Sequence, residues 1–125
     1  MKLKNFSLQY GSQIFKSFSD EARIRILFLL YKKNELCISD LEHILDFTQT
    51  KTSRHITYLK NAGLVTFRKH DQWVFYFLKE EVLEMIEQIF LFLKKDATLK
   101  KDLETFEVLN SNRELSINKI RKPEY

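Results

Sequence analysis

Lys51, Arg54, His55 and Tyr58 recur at i, i+3, i+4 and i+7, so on a helix they form one polar, partly basic stripe. Thr52, Ile56 and Leu59 fall on a second, mostly apolar stripe that can anchor the same helix to a core. Thr48 suits the N-cap, because its side-chain oxygen can accept a hydrogen bond from a free backbone N–H of the first turn. Gly63 suits the stop, because the residue just past a helix end often takes a positive φ. From residue 47 to residue 70 there is no acidic side chain. A helix with one buried face and one basic, acid-free face offers its cations to phosphates and its polar tips to base edges. A solvated basic face would show the same stripe, so the neighbouring elements have to decide.

Those neighbours are legible from spacing. Residues 7–18 carry Leu8, Ile14, Phe15 and Phe18 and read as a first helix of imperfect period. Asp20 reads as the N-cap of a second helix over 21–31, with Ala22, Ile26, Leu27 and Leu30 inward and Lys32 and Lys33 at its C-terminal end, where cations favour the dipole. Glu35, Leu36, Cys37 and Ile38 read as a brief strand. Ser39 and Glu42 have capping-box spacing and open a short third helix through Leu45, with Leu41, Ile44 and Leu45 inward. Asp46 and Phe47 then connect tightly to the basic helix, which is the helix-turn-helix pattern. Residues 64–69 and 73–78 are β-branched and aromatic, and are read as a hairpin with the three-residue loop His70, Asp71, Gln72. Arg68 and Lys69 sit beside its tip, where a hairpin wing would meet the phosphate backbone.

Residues 80–95 form a strong helix by period, with Val82, Met85, Ile86, Ile89, Phe92 and Leu93 inward. Phe90 and Leu91 widen its apolar surface beyond one stripe. That excess fits packing on the first helix and on a second copy of the chain in a two-fold dimer. Asp96 is placed to cap another helix bearing Leu99, Leu103, Phe106 and Leu109. The tail from Asn110 is polar, with Arg113, Lys119, Arg121 and Lys122, but Leu115, Ile117 and Ile120 give it means to dock. The expected organisation is therefore residues 1–95 as the DNA-binding and dimerisation domain, and 96–125 as a C-terminal helical extension and polar tail. The fold class expected is mainly α with a small β-hairpin wing.

Composition narrows the function. The 125 residues suit one domain with an added arm, and 44% hydrophobic content supports a real core. A net charge of +4 and a pI near 9.1 are compatible with a nucleic-acid partner. One cysteine makes no internal disulfide. No apolar run approaches the roughly 20 residues of a bilayer span, and the opening residues 1–5 have no apolar signal stretch, so a cytoplasmic protein is expected. Two glycines and one proline suit a mostly helical chain, and eleven phenylalanines ask for burial, part of it in a partner. There is no Gly-rich phosphate loop, no framed pair of catalytic carboxylates and no nucleophile motif, which argues against an enzyme.

The order of these motifs carries a resemblance. Glu35 to Leu41 (Glu-Leu-Cys-Ile-Ser-Asp-Leu), Thr-Gln-x-x-x-Ser-Arg-His at 48–55, Leu-Lys-Asn-Ala-Gly-Leu-Val at 59–65 and the hairpin residues Trp73, Val74, Phe75 and Tyr76 resemble the ArsR/SmtB family of bacterial winged helix-turn-helix repressors. The likeness spans roughly residues 12–93. It implies a homodimer made by the first and last helices, double-stranded operator DNA read by the helix over 48–60, and release when a small effector binds. By position, Gln49, Thr50, Lys51, Ser53, Arg54 and His55 match the DNA-facing residues. Arg54 can pair with guanine and Gln49 with adenine. Ser53, Thr50, Lys51, Arg68 and Lys69 suit phosphates. His55 fits either duty, or a local hydrogen bond on the helix surface.

The departures bear on the effector. Members that sense soft metals carry two cysteines where this chain has Cys37 and then Ser39, and Glu42 follows. A soft ion prefers two or three thiolates, and one chain offers one. Members using paired histidines and carboxylates on the last helix also differ, since residues 80–95 hold no histidine. His43 alone beside Cys37 makes a weak ligand set, so no metal and no cofactor are expected. Cys37 keeps three readings: a small packed residue, a redox or thiol sensor, or a metal ligand. Asp71 stands where a glycine is common in the wing turn. A protein-association module without an operator is the alternative function, and the cationic side chains at 51, 54, 55, 68 and 69 are what it does not need.

Overall fold

The computed structural model describes residues 5–120. Its elements run α1 (Leu8–Ser17), α2 (Glu21–Lys33), β1 (Glu35–Leu36), α3 (Ile38–Leu45), α4 (Gln49–Asn61), β2 (Val65–His70), β3 (Trp73–Leu78), a 3-10 turn (Glu80–Val82), α5 (Leu83–Leu93), α6 (Ala97–Ser111) and α7 (Ile117–Ile120). The three strands form one antiparallel sheet in the order β1-β3-β2. This is the mainly helical architecture with a hairpin wing that the periodicity predicts.

Helix starts follow from short polar side chains. Ser7 accepts from the Tyr10 N–H, Asp20 from Ala22 and Arg23, Thr48 from Lys51, and Asp96 from Thr98 and Leu99. Each such cap contributes about 1 kcal/mol by satisfying otherwise orphaned donors. The third helix departs from expectation. Its N-cap is Cys37, without a side-chain cap bond, and no Ser39/Glu42 box forms. The Ser39 hydroxyl lies instead 3.1 Å from Cys37 Sγ and 3.2 Å from Ser116 Oγ, so a tertiary contact has taken the group that would have capped the helix.

α2 is the centre of the fold. Ile26, Leu27, Phe28, Leu29 and Leu30 are all buried, although amphipathic spacing marks only part of them as inward. The reason is position: α2 packs against α4, α5, α6 and β3, so all its middle faces are covered. Arg25 at its side makes a two-pronged bond to Asp102 of α6, both contacts 2.9 Å. Leu99, Phe106, Leu115 and Ile117 join the same core as Leu27 and Leu41. The segment after residue 95 thus shares the core of what precedes it, and its tail is polar only in part. Arg121 and Lys122 of that tail lie outside the described residues.

α5 differs in facing. Val82, Ile86 and Phe90 are buried at a spacing of four, whereas Phe92, expected inward, is 89% exposed. Phe90 takes the inward place, set edge-on to Phe28 and Phe18. The Phe18 contact joins the end of α1 to α5. Leu8 and Phe15 on α1 and Leu91 and Phe92 on α5 are left as exposed apolar side chains.

Candidate nucleic-acid interface

Three residues, 46–48, join α3 to α4. Asp46 takes a left-handed φ of 56° and ends α3, and the Phe47 N–H returns to the Glu42 carbonyl at 3.2 Å. The far end of α4 closes in the paired pattern expected of a left-handed stop. Gly63 has φ +86°, its N–H reaches the Lys60 carbonyl, and the Leu64 N–H reaches the Leu59 carbonyl, each at 3.1 Å. Thr52, His55, Ile56 and Leu59 lie inward.

At about 100° per residue, the direction opposite that buried set runs through Thr50, Arg54, Thr57 and Asn61, with Ser53 to one side and Gln49 on the flank next to Ile56. Gln49, Thr50, Arg54 and Thr57 are exposed and Ser53 is half-buried. Lys51 lies at the flank, half-buried, with its ammonium 4.1 Å from the Phe47 ring centre. Thr57 and Asn61 are the residues that sequence reasoning passed over. Their signal was present: on the wheel they flank Thr50, across from Thr52 and Leu59. Among the described residues neither Arg54 nor Lys69 has an ion-pair partner.

His55 does not stand with them. It is only 6% exposed, since its direction on the wheel falls beside Leu59 and Thr52 rather than beside Arg54. Desolvation lowers its pKa below the ordinary 6.5. Asp20 pulls the other way, and the positive charges of Arg54, Arg23 and Lys51 deepen the depression. Burial would raise the Asp20 carboxyl, yet its pKa lies below the ordinary value. The Arg23 N–H bond, the charges of His55 and Arg23, and the Ala22 N–H bond hold it there. His55 thus belongs to the seam between α4 and the start of α2. Tyr58, exposed at the edge of that seam, lies under the Arg23 guanidinium at 4.0 Å.

The wing also corrects two expectations. His70 pairs with Trp73, so the loop is the two residues Asp71 and Gln72 rather than three. Asp71 supplies φ 53°, a conformation that aspartate tolerates better than most side chains. Arg68 is not free at the tip. Its guanidinium meets both oxygens of Glu35, at 2.8 and 2.6 Å. Glu35 and Thr66 both align with Phe77 of β3, and Arg68, two residues on from Thr66, shares that face. Lys69, on the opposite face of the hairpin, is exposed.

Cys37 is 4% exposed, under the docked C-terminal segment. Among the described residues no group of three histidine, cysteine, aspartate or glutamate side chains is placed to hold a metal ion. No helix among them is long and apolar enough to cross a membrane.

The family model described as bacterial regulatory protein, arsR family, matches residues 20–66. The cadmium resistance regulatory protein CadC of Listeria innocua is 38% identical over 87 residues, covering 69% of this chain and 73% of that protein. The chain belongs to the ArsR family. Another relative, the arsenic resistance transcriptional regulator ArsR1 of Pseudomonas putida, is 38% identical over 74 residues, and the match spans 59% of this chain and 58% of that one. Among solved structures, HlyU from Vibrio cholerae is 36% identical with a TM-score of 0.61, covering 66% of this chain and 90% of HlyU. As an ArsR-family member the chain is a winged helix-turn-helix, DNA-binding transcriptional regulator.

Proposed function

We propose that this ArsR-family chain is a homodimeric repressor that binds operator DNA through α4 and the wing, and leaves it when an effector binds. The observation that carries the reading is the outward face of α4. Thr50, Ser53, Arg54 and Thr57 project together from a helix whose opposite face is fixed in the core, with Gln49 exposed at its first position and no acid among them. In that setting Arg54 reads guanine in the major groove, Gln49 reads adenine, and Thr50, Ser53, Thr57, Lys51 and Lys69 set register on sugar and phosphate. The apolar side chains left outside on α1 and α5 supply the two-fold contact that spaces two such helices along the duplex. The chain acts by binding rather than catalysis, and in the cytoplasm, where its DNA is.

Arsenic and cadmium belong to the names of relatives. Here Cys37 is buried and bonded to Ser39, so a thiol reagent reaches it only after that seam opens. If Cys37 is the sensor, peroxide weakens DNA binding of the native protein and spares Cys37→Ser; equal loss in both removes the idea.

The test of the main reading is fluorescence anisotropy on the DNA upstream of the chain's own coding region, over a salt series. The native protein should bind with a steep negative log-salt slope, and Arg54→Ala should lose about 1–3 kcal/mol of preference over random DNA. No preference in the native protein for any upstream fragment, together with no effect of Arg54→Ala, would overturn it.

A further inference from the structure

Residues 112–120 fold back on the helix-turn-helix and are fixed there. The Asp40 carboxylate, 3% exposed at the start of α3, accepts from the Ser116 N–H at 2.6 Å and from the Ile117 N–H at 3.2 Å. Leu115 and Ile117 are buried beside it. Asn118 accepts from the Leu115 N–H at 3.1 Å and donates to Asn110 Oδ1 at 2.8 Å, while Arg113 donates to the Asn118 carbonyl. The next residue is Lys119. It is exposed, and its ammonium stands 5.4 Å from the ring centre of Trp73.

That address matters because of the wing's two faces. Lys69 projects from one. Trp73 shares the other with Arg68, and Arg68 is held by Glu35. The second face therefore has a committed guanidinium on the hairpin itself and an available ammonium brought in from the tail. Trp73 pairs with His70 directly behind the turn, so Lys119 lies at the end of the hairpin that reaches outward.

We propose that the docked C-terminal segment is a further DNA-contacting element, in which Lys119 grips a backbone phosphate beside the wing. The proposal rests on the DNA reading above. Lys119 neutralises charge without reading bases, so its contribution is the same on operator and random sequence. The docking by Asp40 is what makes the contact one of fixed register rather than of a loose basic tail.

The experiment compares native protein, Lys119→Gln and Lys119→Arg by anisotropy on the upstream duplex and on random duplex of equal length, from about 50 to about 200 mM salt. Lys119→Gln should lower the magnitude of the log-salt slope by about one and weaken both duplexes by the same factor, and Lys119→Arg should keep the native slope. Thermal melts of the three should coincide, since the side chain is exposed. A native slope in Lys119→Gln while the native protein binds its operator overturns this proposal alone. Absence of any DNA binding by the native protein overturns it together with the reading beneath it. Loss of slope in Lys119→Arg as well would make the contact one of shape against Trp73, and would overturn the charge role.

Discussion

The Tyr10 hydroxyl donates a 2.6 Å hydrogen bond to the Gly63 carbonyl, tying α1 to the stop just past the end of α4. The fit is close on both sides. A Cβ at Gly63 would lie 2.9 Å from Tyr10 Cε1, and the φ of +86° there is one that other residues seldom adopt. Tyr10→Phe should cost about 1 kcal/mol, the loss of one hydrogen bond with its acceptor left half-covered. Gly63→Ala should cost more, on the order of 1–3 kcal/mol, because strain and contact add. Urea midpoints at constant slope measure both. An alanine variant as stable as native would show that α1 and α4 are not locked here.

The Glu35–Arg68 pair is exposed, so its removal should leave the urea midpoint close to native. Its effect should appear in DNA binding instead. Glu35→Gln frees the guanidinium on the Trp73 face of the wing, and the log-salt slope should steepen by about one. An unchanged slope would place Arg68 away from the duplex.

His55 gives stability a pH dependence of definite sign. Its folded pKa is depressed, mainly by burial, so the unfolded chain takes up the proton first as pH falls. The contribution is complete above the ordinary value of 6.5 and declines as pH drops from there towards the lower folded value. Urea midpoints between about pH 7.5 and about pH 5.5 should fall in the native protein and fall less in His55→Gln. A parallel decline in both would assign the slope to another group.

The exposed rings on α1 and α5 make a prediction about assembly. The native protein at micromolar concentration should have twice the 15.1 kDa chain mass by light scattering. Phe15→Glu with Phe92→Glu should give the single-chain mass with native circular dichroism, since both side chains lie outside the core. DNA affinity should fall with it, because a monomer holds one half-site. A native protein of single-chain mass would remove the dimer.

What the sequence determined by itself is what a few neighbouring residues can encode. Thr48, Asp20, Ser7 and Asp96 carry their caps within three residues, and Gly63 carries its own stop, so helix bounds and the helix-turn-helix with its hairpin were legible. So was most of the outward face of α4, whose members repeat with the helix period. Tertiary structure decided the rest. His55 was drawn inward because α2 and Asp20 lie on its side of the wheel. Phe90 rather than Phe92 faced the core because Phe18 and Phe28 waited there. Arg68 lost its freedom to Glu35, 33 residues away. Ser39 exchanged a cap for Ser116, and Asp40 received the tail, across separations of 77 and 76 residues. Caps and periods are local energies that a short stretch satisfies alone. Which side chain a groove, a charge or a free N–H finally takes depends on what the folded chain brings beside it.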